Sequence, residues 1–231
     1  QFLRYLQAFA AANPDPVNNL ASWRRFAKSL DITRNLPGLF VFAYAPVIQD
    51  REVQNFIEAT RKQADRNDFH IFPDSTGDVL APVSFISPEG HLQQKAIGFN
   101  LLSENTRREA IDVALAKQDI ALSGPIVLLF DKETPRPGFL LVATTFHPGM
   151  PINNIEERRL ALAGIVVTAY RTDEFVESIR RGTSSRFTVQ IFDDGGANRT
   201  TERLPQLIFD SDPEFHKAAK TPVVHHEIDF G

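Results

Sequence analysis

Leu3, Leu6 and Ala10 recur at helical spacing with Phe2 and Phe9 alongside, so the pattern predicts a helix over residues 1–12. Asn13-Pro14-Asp15-Pro16 breaks it, and Asp15 followed by Pro16 reads as the cap and first turn of a second helix. That helix carries Val17, Leu20, Trp23, Ala27 and Leu30 on one side. Two helices before any strand suggest a stalk, with the Leu3/Leu6/Ala10 stripe suited to pairing with a second copy in a dimer. After Pro37-Gly38 the period changes. Leu39 to Ala45 is a continuous apolar run of strand length, and Asp50 caps a helix with Val53, Phe56, Ile57 and Thr60 on one face.

Further strands are predicted at Phe69–Phe72, Leu80–Ser87 and Gln94–Phe99. Ser103 caps a helix that turns Ala110, Ile111, Ala114 and Leu115 inward. Strands then follow at Ile120–Phe130, Gly138–His147 and Gly164–Arg171, and Thr172 opens a helix to Arg181. The tail predicts strands at Phe187–Phe192, Gln206–Phe209 and Val223–Phe230. The short connection from Asp131 to Pro137 makes its flanking strands antiparallel neighbours. The fold class is therefore α+β with antiparallel sheets, not a doubly wound fold. A soft boundary falls near Thr172, which gives segments of 1–36, 37–171 and 172–231.

Composition narrows the function. Of 231 residues 42% are hydrophobic and 23% charged, enough to build a core and against disorder as the main state. Lys and Arg number 25 against 29 Asp and Glu, so no basic field exists to hold nucleic acid. The 19 Phe residues predict a rigid aromatic interior. The absence of Cys excludes disulfides, thiol catalysis, thiolate zinc sites and iron–sulfur clusters. No apolar run reaches the roughly 18 residues of a membrane span, and no signal peptide is visible. The chain opens on Gln1 inside a helical pattern and is expected to be a piece of a longer protein.

Chemistry-bearing motifs are scarce. GxGxxG, GxxxxGK[ST], GxSxG and HExxH are all missing. His225-His226-Glu227 lies in a predicted strand, where neighbouring side chains point to opposite faces and do not share an ion. Asp193-Asp194-Gly195-Gly196 reads as a turn, Asn198-Arg199-Thr200 as a chance sequon, and Glu156-Glu157-Arg158-Arg159 as a solvated face. No catalytic residue, metal or cofactor is expected.

The order of several short segments carries a resemblance. Pro37-Gly38-Leu39 precedes a strand, and Asp50-Arg51-Glu52 opens a helix. Phe69-His70-Ile71, Ala81-Pro82-Val83-Ser84-Phe85 and Gly98-Phe99-Asn100 follow, then Ser103 with Arg107-Arg108. Leu122-Ser123-Gly124-Pro125, Gly138-Phe139-Leu140 and the run from Glu157 to Gly164 complete the series. From about Leu6 to Phe230 the chain resembles a CHASE domain, the extracytoplasmic sensory module of histidine kinases and nucleotide cyclases. The resemblance implies a long stalk helix, a second helix and two stacked PAS-like α+β units, flanked by membrane-spanning helices. It also implies a periplasmic location in an inner-membrane receptor whose output is a kinase or cyclic-di-GMP enzyme.

The same resemblance implies a ligand pocket in the membrane-distal unit. Relatives among plant cytokinin receptors bind an adenine-derived hormone there. Their adenine-pairing aspartate aligns with Arg107, a reversal of charge that points to an anionic partner. A leucine that meets adenine through its backbone aligns with Leu129, a threonine with Val142, a proline with Thr144 and a tyrosine with Ile165. Ser123 and Leu141 complete the candidate ligand-binding set. Arg107 and Arg108 differ by about 100° around their helix, so at most one points inward. The expected partners are a small molecule, anionic or adenine-like, and a second copy of the chain through the stalk helices. The competing reading is a structural or interaction ectodomain whose pocket is filled by its own side chains.

Overall fold

The computed structural model describes residues 1–63, 66–74, 77–131, 133–181, 188–193 and 205–218. Its elements run in the order α1 (Phe2–Ala12), α2 (Leu20–Leu30), α3 (Ile32–Asn35), β1 (Leu39–Pro46), β2 (Ile48–Gln49), α4 (Val53–Gln63), β3 (Val79–Leu80) and β4 (Phe85–Ser87). There follow α5 (His91–Gln94), α6 (Asn105–Lys117), β5 (Ala121–Leu122), β6 (Ile126–Val127), β7 (Pro137–Phe146), α7 (Ile155–Ala161), β8 (Leu162–Arg171) and α8 (Thr172–Arg181). The tail contributes β9 (Gln190–Asp193), β10 (Gln206–Asp210) and α9 (Pro213–Ala218). The chain is α+β, as the sequence predicts.

Six strands form one sheet in the order β4-β1-β8-β7-β5, with β6 also on β7, and every pairing is antiparallel. The long apolar runs of β1, β7 and β8 take the centre because both of their faces are covered. Strand alternation then divides their side chains between two layers. Leu3, Leu6, Ala10 and Trp23 from α1 and α2 cover one face, against Phe42, Tyr44, Phe85, Ala143 and Val166. On the other face α6 and the segment before it pack against Val41, Ala43, Leu140, Val142, Ile165 and Val167. A two-stranded sheet of β9 and β10 stands apart from these six strands.

The Leu3/Leu6/Ala10 stripe is therefore not a dimer seam. All three side chains are buried inside the monomer, because the sheet offers them an apolar face of their own chain. Asp15 does not cap α2 either; it accepts the Asn18 amide at 3.0 Å in a turn, and the helix starts after Asn19. Asp50 lies in a short 3₁₀ turn (Asp50–Glu52) that leads into α4 and whose N-cap is Gln49.

Five predicted strand or cap positions change for local reasons. Phe69–Phe72 and Gln94–Phe99 are not strands; they meet at a single bridge, Phe72 to Phe99. Gly98 has φ +89°, and a Cβ there would stand 2.0 Å from the His70 carbonyl, so the chain must turn. Leu80–Ser87 divides into β3 and β4 because Pro82 has no ladder donor. Ile120–Phe130 divides at Gly124-Pro125 into β5 and β6, then enters a 3₁₀ turn over Leu129–Asp131. The cap of α6 is Glu104, not Ser103, since its two carboxylate oxygens reach the amides of both Thr106 and Arg107. The helix at Thr172–Arg181 is present as predicted. Gln206–Phe209 and the end of Phe187–Phe192 are strand, while Val223–Phe230 and the His225-His226-Glu227 cluster lie outside the described residues. Among the described residues no helix is long and apolar enough to cross a membrane.

Candidate functional site

The layer under α6 differs from an ordinary core in its side chains. Eight of the twenty buried members described there are alanine, and polar Asn100, Arg107, Ser123 and Thr144 are buried at its margin. Asn100 is fully buried, and its Oδ1 accepts from the Ala81 amide at 2.9 Å and the Leu102 amide at 3.1 Å. Those two donors fix the orientation of the side-chain amide, because a flipped group would set N–H against N–H. Among the described residues its Nδ2 has no hydrogen-bond partner. A buried donor in that state costs roughly 1–3 kcal/mol.

Arg107 points inward and Arg108 outward. Arg107 stands over the Phe99 ring at 5.3 Å, donates from Nη1 to Glu104 Oε2 at 2.8 Å and from Nη2 to the Val127 carbonyl at 3.1 Å. Arg108 instead donates to the Leu102 carbonyl from the exposed side of the helix. Burial alone would raise the Glu104 carboxyl, but the Thr106 and Arg107 amides and the Arg107 charge hold it below the usual carboxylate range. The charge of Arg107 is thus matched within its own chain by a carboxylate at i−3. An external anion would have to compete with Glu104.

Ser123 is buried, accepts the Leu140 amide at 2.9 Å and donates to the Gly124 carbonyl at 2.8 Å, which ties the β5–β6 connection to β7. Val142 and Ile165 are fully buried in the α6-side layer, and Leu129 packs partly buried against it. Thr144 is paired with Ile165 across β7 and β8 and shares the face of Leu140 and Val142 by alternation. Leu141 does not join them. It is one residue out of phase on β7 and packs in the aromatic layer beside α1. Six of the seven candidates therefore border the α6-covered side, and the seventh belongs to the opposite face.

Two surface concavities lie elsewhere. A cleft of about 280 Å³ is lined by Pro14, Pro16, Val17, Phe56, His147 and Ala163 among others, and a more open one of about 490 Å³ borders Leu20, Arg24 and Gln63. None of the seven candidates lines either. Among the described residues no group of three or more His, Asp or Glu side chains could hold a metal ion.

Sequence reasoning missed three residues. Asn100 had a visible signal, a lone amide between Phe99 and Leu101-Leu102. Asp131 and Arg171 had none, because they are 40 positions apart and only the sheet register unites them. Arg171 donates from Nε and Nη2 to the two Asp131 oxygens at 2.8 and 2.6 Å, with its guanidinium 3.8 Å above the Phe40 ring. Burial pulls its pKa down, but the bonds to Asp131 and Glu174 outweigh that and leave it raised.

In comparison with known proteins, a family model described as CHASE domain matches residues 19–207. No curated protein matches the chain.

Proposed function

The chain belongs to the CHASE domain family, and from that premise we propose that it takes a small molecule between α6 and the sheet. CHASE domains are extracellular sensory domains of signalling receptors and are not catalytic. On this reading the domain is the periplasmic part of an inner-membrane receptor and passes occupancy to a cytoplasmic kinase or cyclic-di-GMP enzyme. The antiparallel six-stranded sheet with α6 on one face supports a PAS-like unit over 37–171, whose other face α1 and α2 from 1–36 cover. The remainder, 172–231, would be the smaller membrane-proximal unit, and the receptor would work as a dimer through surfaces other than the buried α1 stripe.

One observation carries the reading: Asn100, fully buried and held in one orientation, leaves its Nδ2 without an acceptor among the described residues, in the layer richest in small side chains. A ligand with a carbonyl, carboxylate or ring nitrogen would satisfy it. The neutralised Arg107–Glu104 pair favours a neutral or adenine-like ligand over a simple anion. The alternative, a ligand-free interaction ectodomain, has in its favour the complete burial of Val142 and Ile165.

The test is thermal shift of the 231-residue chain with adenine, neutral adenine derivatives and small carboxylates, since a binder raises the melting temperature by mass action. A shift that is lost in Asn100→Asp supports the reading. No shift with any of these probes favours the ligand-free alternative.

A further inference from the structure

The candidate site and the helix that leaves the sheet are joined by an unbroken series of contacts. Arg107 on α6 donates to the Val127 carbonyl on β6. Strand β6 is only two residues long and meets β7 at two register positions, with Ile126 and the following Leu128 buried in the α6-side layer. One residue later comes the 3₁₀ turn Leu129–Asp131, closed by the Asp131 amide on the Leu128 carbonyl at 2.9 Å. The Asp131 carboxylate grips Arg171 with both oxygens. Arg171 is the last residue of β8, and its Nη1 reaches Glu174 in the first turn of α8 at 2.9 Å.

Helix α8 is seated on the sheet around this grip. Gly38 has φ +89°, and a Cβ there would lie 2.5 Å from Ser178 Oγ, so the entry of β1 and the flank of α8 meet without a side chain between them. Phe175 makes edge contacts with Phe139 and Tyr170 at 5.4 and 5.5 Å. Arg136 adds an outer clasp on Asp173 and Glu174. The Asp131 and Arg171 side chains are only 7% and 12% exposed.

We propose that the Arg107–Val127–Asp131–Arg171 series is a coupling device that ties the docking of α8 to the state of the α6-covered face. A buried ion pair adds little net stability, but its partners suffer when separated, so the joint favours one geometry over gradual loosening. A bidentate pair also has few satisfactory orientations. A shift of Arg107 releases the Val127 carbonyl, the short strand and its turn follow, and Asp131 leaves the plane of the Arg171 guanidinium. The link to signalling rests on the reading that a ligand occupies that face; the mechanical link does not.

Hydrogen exchange of the 231-residue chain without ligand tests it, with wild type, Arg107→Met, Asp131→Asn and the double variant. Asp131→Asn should speed exchange of the α8 amides by about tenfold or more while central β1 and β8 amides hold. Arg107→Met touches nothing in α8 and should speed the same amides several-fold. In series the double variant should exchange no faster at α8 than Asp131→Asn alone. An unchanged α8 in Arg107→Met, or additive effects in the double variant, overturns the proposal. If circular dichroism shows Asp131→Asn unfolded, Glu174→Gln takes its place with the same expected order. A chain that binds adenine on the α6 face yet shows no coupling defeats this device alone; coupling without binding there defeats the ligand reading alone.

Discussion

The two faces of the central sheet are built from different materials. Under α1 and α2 the layer is aromatic: Trp23 lies 5.0 Å from the rings of Phe9, Tyr44 and Phe85, and Phe9 stacks on Phe26 at 3.9 Å. Tyr44 donates there to the Pro14 carbonyl, and burial pushes that phenol up to about 12. Thr168, on the same face as Val166 by alternation, keeps a buried hydroxyl without a partner among the described residues. Under α6 the layer is alanine-rich, carries an inward arginine and leaves a buried amide donor unpaired among the described residues. Large interlocking rings specify one packing and resist change. Small side chains with oriented polar groups at the margin can accept an additional partner. The aromatic face holds α1 and α2, and the alanine face is the one on which we propose that a ligand sits.

Variants should separate the faces, beginning with the largest effect. Leu6→Glu places a charge in the closed aromatic layer and should cost more than about 4 kcal/mol, unfolding the chain in circular dichroism. Survival of the fold would restore the α1 stripe as an external seam. Trp23→Ala should cost about 3–5 kcal/mol in denaturant unfolding, since Trp23 is fully buried among three rings. Ala114→Leu on the opposite face would cost about 1–3 kcal/mol if that layer were as tightly filled. A loss at or below the lower limit is expected if the small side chains around Ala114 let the layer repack.

The smallest effect is electrostatic. The folded-state pKa of Glu104 lies below its unfolded value of about 4.3. Its contribution is therefore present above that pH and lost as pH falls through the folded value. Glu104→Gln should remove part of the stability at neutral pH and flatten the acid limb of the stability curve below about pH 4.3. The side chain is 39% exposed, so screening keeps the change modest. Equal acid sensitivity in wild type and variant would show that the Arg107 charge is not matched by Glu104.

Much of this was legible in the sequence where period alone decides. The runs of β1, β7 and β8, the α6 face of Ala110, Ile111 and Ala114, and the start of α8 at Thr172 are set by local pattern. The inward choice of Arg107 over Arg108 was open, and burial settles it. What escaped depends on approach between distant segments. Gln94–Phe99 alternates weakly, yet the close approach of Gly98 to His70 makes it a turn. The amphipathic stripe of α1 says that one side is apolar, and cannot say whether the covering surface is a second helix or its own sheet. Leu141 was misplaced by a single step on β7, which is enough to send a side chain to the other face.

The most direct test of the account is chemical-shift mapping of the isotopically labelled chain titrated with adenine. The account predicts saturable shifts at Phe99–Arg107, Ser123–Leu129, Leu140–Thr144 and Ile165–Ala169, fading in α1 and α2. Shifts confined to the 14–18 turn and Pro46–Ile48, or no saturable shift at all, would contradict it.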